Sequence, residues 1–215
     1  MAETMSVDLW SDVICPFCYL GSRQLGRAIA QFEHGRDVVV IHHAFELDPN
    51  TPLDFTQTLE ELVATKYAMP VEKARELHRR LEAQAQEFDM TWSFASAKPT
   101  NSFDAHRLIA LSATQGLSAA MSQRLFQAYF SDGLLISDRG QLNELARAVG
   151  VVNASSLWES DAFSAEVRAD ETSANELGIT GVPAILIDEK FMVLGAQGVD
   201  QMVDVLRRAW ERRAA

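Results

Sequence analysis

The sequence predicts an α/β protein, and three observations carry that prediction. Strand-like patterning is confined to the first fifty residues and to 182–194. A helical period of 3.6 runs through most of what lies between. A last amphipathic segment closes the chain. The order is therefore β–α–β, a long helical insertion, and β–β–α, with the core in residues 1–52 and 178–215 and the insertion in 53–177.

Val7-Asp8-Leu9-Trp10-Ser11 alternates apolar and polar residues and reads as the first strand. Pro16 suits the first turn of a helix, and Leu25, Ala28, Ile29 and Phe32 follow at i, i+3, i+4 and i+7, with Gly35 as a stop. Val38-Val39-Val40-Ile41 leads to Phe45 and Asp48-Pro49 and reads as a buried strand. A helical connection implies that these two strands are parallel.

The helical period starts at Asp54. Val71, Ala74, Leu77, Leu81, Ala85 and Phe88 form one stripe, with Glu76 and Arg80 paired opposite. Asn101 is placed to cap a helix carrying Phe103, Leu108 and Ile109, and Met121, Leu125, Ala128 and Tyr129 mark the next, ending near Gly133. Asp138 with Gln141 resembles a capping box ahead of Leu142, Leu145, Ala146 and Val149, which Gly150 stops. Two further helices fall within Ser156–Asp161 and Ala165–Leu177. Val182–Ile187 and Phe191–Leu194 form a hairpin about Asp188-Glu189-Lys190, and Val199, Met202, Val203, Leu206 and Trp210 define the last helix.

Composition bounds the function. A formal charge of −11 with no Lys/Arg run excludes a basic face for nucleic acid or anionic lipid. The stretch Asn153–Lys190 alone carries eight acids against Arg168 and Lys190. Glu3 stands where a signal peptide wants a cation, and Val38–Ile41, the longest aliphatic run, cannot span a bilayer. The expectation is a cytoplasmic protein.

Cys15 and Cys18 are the only cysteines, three apart at a helix start. Exposed N–H groups and the positive end of the helix dipole favour a thiolate on the first of such a pair, and only a thiolate attacks a disulfide. Cys15 is thus the candidate nucleophile and Cys18 the resolving thiol, with Pro16 fixing the turn and Phe17 offering an apolar surface to substrate. A metal site needs more ligands than two cysteines, and His34, His42, His43, His78 and His106 show no ligand spacing; His42 and His43 face opposite ways on a strand. Inert buried thiols are the remaining bland reading. Asp12 reads either as a charge near the thiols or as a solvated turn carboxylate, Glu46 as a surface carboxylate at a strand end in preference to a buried proton acceptor behind Cys18, and His106 as structural in preference to catalytic.

Cys15-Pro16-Phe17-Cys18-Tyr19 after a strand, with Thr180-Gly181-Val182-Pro183 before a hairpin, resembles the DsbA-like thiol–disulfide oxidoreductases, most closely their FrnE-like cytosolic branch. Phe45-Glu46-Leu47-Asp48-Pro49, Ser102-Phe103-Asp104-Ala105-His106, Ala128-Tyr129-Phe130 and Gly195-Ala196-Gln197 extend the likeness along nearly the whole chain. The resemblance implies a thioredoxin-like core interrupted by a helical domain, and a cis Pro183 against the thiol pair. Val182 then offers its backbone to a peptide; from sequence alone Pro183 could equally open an edge strand. It also implies disulfides of proteins, peptides or small molecules as substrates and no metal or organic cofactor, with electrons from glutathione (as reductant or co-substrate), a thioredoxin system or a dithiol substrate. Phe17 replaces the DsbA histidine and supplies neither its charge nor its donor, so the couple should be less oxidising than DsbA's approximately −120 mV. The second cysteine pair of some FrnE-like proteins is absent.

Two rivals stay open. Related 2-hydroxychromene-2-carboxylate isomerases and kappa-class glutathione transferases use glutathione with a serine in place of Cys15, and have no use for Cys18. A binding module or chaperone has no use for either thiol. The natural substrate, the reductant and the oligomeric state are not written in the sequence.

Overall fold

Alternation of apolar side chains makes β1 (Met5–Ser11) a strand whose Met5, Val7 and Leu9 are fully buried. These coordinates, a computed structural model, describe residues 4–53 and 56–213. Asp54, where the helical period was placed to begin, lies outside the described residues. Helix α1 (Pro16–Gln31) follows with proline in its first turn, where a missing N–H costs nothing. It ends ahead of Gly35, whose absent Cβ would sit 2.1 Å from the Ile29 carbonyl oxygen, so only glycine fits that return. Strand β2 (Val38–Ala44) pairs parallel with β1 from Met5↔Val38 to Ser11↔Ala44.

Strands β3 (Ala184–Ile187) and β4 (Phe191–Leu194) form the expected antiparallel hairpin. Asp188 and Glu189 carry its turn at φ 47° and 56°. The sheet order is β2-β1-β3-β4. That order corrects one expectation: β2 is an edge strand, not a buried one. Val38 and Val40 pack against the core, whereas Val39 and Ile41, which the pleat sends to the other face, are 48% and 41% exposed.

The chain divides into two compact units, one of Met1–Leu47 with Val167–Ala215 and the other of Asp48–Glu166. The sequence placed these joints at 52/53 and 177/178. Most of helix α7 (Ser164–Glu176) thus falls with the sheet. Its Asp170 explains this by bonding His43, the Ala44 N–H and, through its carbonyl, the Trp10 indole. On the opposite sheet face, Val7, Leu9, Ile185 and Ile187 pack with Leu25 and Ala28 of α1 and with Met202, Val203 and Leu206 of α8 (Val199–Glu211).

The second unit holds α2 (Leu59–Lys66), α3 (Val71–Gln86), α4 (Phe103–Ala113), α5 (Ser118–Phe130) and α6 (Arg139–Val149). Thr58 and Glu61 close a capping box at α2 that the sequence reading did not single out. At α6 Asp138 accepts from the Gln141 N–H, but the Gln141 side chain turns to the Leu135 N–H, so only half a box forms. In α3 the buried row is Ala74, His78, Leu81 and Ala85; Leu77 is 39% exposed and His78 takes its place, stacked on Phe94. Asn101 accepts from the Phe103 N–H at the start of α4, but the N-cap position falls to Ser102, whose side chain caps no helix N–H, so Asn101 sits one residue outside the expected cap. The segment 156–161 forms a 3-10 turn (Ser155–Glu159) rather than an α-helix.

Candidate active site

The site sits where β1 runs into α1. Cys15 is the N-cap residue of α1, with extended backbone, and its carbonyl accepts from the N–H groups of Cys18 and Tyr19. Its side chain caps no helix N–H; it points instead at the Val182 carbonyl oxygen, 3.7 Å from Sγ. The Val182–Pro183 peptide bond is cis. Residues 167 positions apart in sequence therefore meet at one sulfur.

Both cysteines are free thiols. Cys15 is 4% exposed and Cys18 fully buried. Burial pushes the Cys18 thiol well above the ordinary range, and a hydrogen bond and the charge of Cys15 push the same way. The Asp12 N–H, 3.5 Å from Cys18 Sγ, pulls against that rise. Phe17, by contrast, is 45% exposed beside the pair.

Two carboxylates are more deeply buried than the bland readings allowed. Asp12 is fully buried, not solvated. Its oxygens accept from Leu47 N–H at 2.8 Å and Ile14 N–H at 3.3 Å, and its charge raises the Cys18 pKa. Those backbone donors are what allow a carboxylate to be buried there. Glu46 is likewise buried, its side chain 1% exposed, because Arg168 reaches it at 2.5 Å and also bonds Glu171. A strand-end position signals exposure by statistics alone; only the long-range Arg168 contact overturns it. His106 is buried in α4 of the other unit. No group of three or more His, Cys, Asp or Glu side chains among the described residues is placed to hold a metal ion.

The structure therefore brings together Cys15, Cys18, Pro16, Phe17, Val182 and Pro183, with Asp12 behind them. Sequence reasoning gave no signal for Gly21. A Cβ there would meet the Pro183 ring at 2.9 Å.

The family model of the DSBA-like thioredoxin domain matches residues 6–207. The chain belongs to this family. Within the DsbA-like fold, the chain is similar to the probable DsbA oxidoreductase of Streptomyces coelicolor, with 34% identity, a TM-score of 0.92, and coverage of 96% of this chain and 90% of that one. It is also similar to 2-hydroxychromene-2-carboxylate isomerase, with 16% identity, a TM-score of 0.70, and coverage of 97% and 98%. The cytosolic disulfide reductase DsbM of Pseudomonas aeruginosa, with 21% identity and a TM-score of 0.67, covers 98% of this chain over 100% of its own length. DsbM has also been solved with GSH. At these last two identities the likeness concerns the fold. The DsbA-like resemblance read from CPFC and GVP thus stands, and with it a family of thiol–disulfide oxidoreductases and related enzymes. No helix among the described residues is long and apolar enough to cross a membrane.

Proposed function

We propose that the protein is a thiol–disulfide oxidoreductase that reduces or isomerises disulfides in the cytoplasm, with Cys15 as nucleophile and Cys18 as resolving thiol. The observation that carries this reading is the Cys15 sulfur at the N-cap of α1, 3.7 Å from the Val182 carbonyl, with Cys18 buried behind it. The cytosolic DsbM supports the compartment and, through its glutathione-bound form, the choice of reductant.

The electrons balance in two exchanges. The Cys15 thiolate attacks one sulfur of a substrate disulfide, forming a mixed disulfide and releasing the other substrate sulfur as thiolate. Cys18, once deprotonated, attacks the Cys15 sulfur, forming the Cys15–Cys18 disulfide and releasing the second substrate thiol. Two electrons have moved to the substrate; two molecules of glutathione, leaving as glutathione disulfide, or one dithiol return them to the Cys15–Cys18 pair. The high pKa of Cys18 keeps this thiol protonated and unreactive toward outside disulfides, while neighbourhood to the mixed disulfide supplies a high effective concentration for the second step. Val182 offers backbone groups for an extended peptide, and Phe17 and Pro16 border the approach. No metal or organic cofactor enters this chemistry.

The test is direct. Cys15→Ser abolishes disulfide reductase turnover, whereas Cys18→Ser accumulates a mixed disulfide visible by mass spectrometry. Equilibration with glutathione buffers places the couple below the approximately −120 mV of DsbA; a value that high reverses the direction of electron flow. The likeness to an isomerase gives the second reading, a glutathione-dependent isomerase or transferase. Full glutathione-conjugating or isomerising turnover in Cys18→Ser selects it over ours.

A further inference from the structure

Helix α1 carries two glycines inside its length, and they differ in what surrounds them. A Cβ added at Gly26 meets nothing within 4 Å, whereas one at Gly21 lies 2.9 Å from Pro183 Cγ, 3.5 Å from Pro183 Cβ and 3.7 Å from Ala196 Cβ. Gly21 is buried, so the close approach is not at a surface that can open outward. Glycine inside a helix costs stability, and at Gly21 the bare backbone is what lets the ring of Pro183 rest on the helix.

The segment behind that ring is held from two further sides. The Pro183 carbonyl accepts from the Gly195 N–H at 2.8 Å, and the Gly198 N–H donates to Gln24 of α1 at 3.0 Å. Gln24 is itself buried, one turn along from Gly21. The base of the β3–β4 hairpin is therefore pinned to α1 at two places. The ring is closed onto the Pro183 backbone at both N and Cα, so whatever part of the 2.9 Å contact a change of pucker does not relieve passes into the backbone. Val182 is the next residue, and its carbonyl is the group facing Cys15 Sγ.

We propose that Gly21 is a positioning residue of the thiol site: its missing side chain sets how close the Val182–Pro183 segment stands to Cys15, and so the register in which a peptide disulfide docks. This rests on the oxidoreductase reading, and goes beyond it by naming what fixes the substrate-docking edge. The chemistry of the two sulfurs does not need Gly21; alignment of a substrate backbone along Val182 does. A small disulfide without a peptide backbone is indifferent to the displacement.

The experiment is steady-state reduction of a peptide disulfide and of 2-hydroxyethyl disulfide by wild type, Gly21→Ala and Gly26→Ala. For the peptide, Gly21→Ala raises KM about tenfold with kcat within about twofold, since a backbone docking contact weakened equally in ground and transition states is lost from KM alone. For the small disulfide it leaves both constants within about twofold, and Gly26→Ala leaves both within about twofold for either substrate. Unchanged peptide KM in Gly21→Ala, a loss confined to kcat, or an equal loss on both substrates each overturns the proposal. Should Gly21→Ala not fold, Gly21→Ala/Pro183→Ala removes the ring atom it meets. Folding of that double variant supports the contact, and its failure, where Pro183→Ala alone folds, overturns it. If wild type shows no Cys15-dependent turnover at all, it is the oxidoreductase reading that fails.

Discussion

Asp12 shows what one residue can set. Its carboxylate is fully buried and bonded by the backbone N–H groups of Leu47 and Ile14, so it ties the start of the thiol segment to the strand end beside it. Asp12→Ala leaves both donors without that acceptor and should destabilise the fold by about 1–3 kcal/mol in denaturant titration. Asp12→Asn keeps an acceptor and removes the charge. Since that charge raises the Cys18 pKa, Asp12→Asn in a Cys15→Ser background should titrate Cys18 at lower pH than its parent, read by thiolate ultraviolet absorbance. An unmoved or raised Cys18 titration refutes the electrostatic role. The presence of an acid three residues before Cys15 was legible in sequence; its burial was not, because Leu47 is 35 positions away.

Strand β2 carries two adjacent histidines that the pleat sends to opposite faces, as the sequence indicated. On His42 burial pushes the imidazole down to about 4, and the charge of His43 adds to it. Burial also pulls His43 down, but hydrogen bonds to Asp170 at 2.6 Å and Asp8 at 2.8 Å outweigh it and the net shift is upward. The two signs act at opposite ends of the pH scale. A lowered folded pKa gives stability that is present above the unfolded value of about 6.5 and lost as pH falls, here through about 4, worth on the order of 3 kcal/mol for His42. A raised folded pKa gives stability that is full below about 6.5 and lost as pH rises through the folded value. Thermal unfolding should therefore show His42→Leu flattening the acid limb and His43→Gln flattening the limb above pH 6.5. A His43→Gln curve parallel to wild type on that limb rules out the Asp8–His43–Asp170 contribution. The edge position of β2 escaped the sequence because four aliphatic residues in a row look alike whether one or both faces are covered.

At the scale of the molecule, each compact unit has its own organising contacts. In the unit of Asp48–Glu166, buried Arg107 donates to the carbonyls of Ala162, Leu157 and Ser160 and pairs with Asp104, which also holds Arg139. Arg107→Met orphans three carbonyls, leaves Asp104 with Arg139 as its remaining guanidinium, and should cost about 3–5 kcal/mol, with amide exchange accelerating first in 103–113 and 155–162. Exchange that accelerates uniformly along the chain argues against the local staple. Motif reading found Ser102-Phe103-Asp104-Ala105-His106 and stopped one residue short of Arg107, since an arginine within a helix reads as solvent-facing until its partners are known. The division of the units at 47/48 and 166/167 is hidden from a local reading for a related reason. Helical period marks α7 as a helix but not which body it joins, and that was decided by Asp170 and Arg168 reaching residues more than a hundred positions away.

What the sequence determined by itself was local and periodic: the β–α–β and β–β–α order, the parallel pairing of β1 with β2, a proline-started helix bearing Cys15 and Cys18, and the hairpin after Pro183. These follow from side-chain period and from dihedral preferences, which a short window contains in full. That Cys15 meets the Val182–Pro183 segment was implied only by the family resemblance, and tertiary structure alone decided that the Val182 carbonyl faces its sulfur, that Asp12 and Glu46 are buried, and that Gly21 admits the ring of Pro183. Each of those depends on how closely chain segments distant in sequence approach one another, and close packing fixes that distance only once the whole core is assembled.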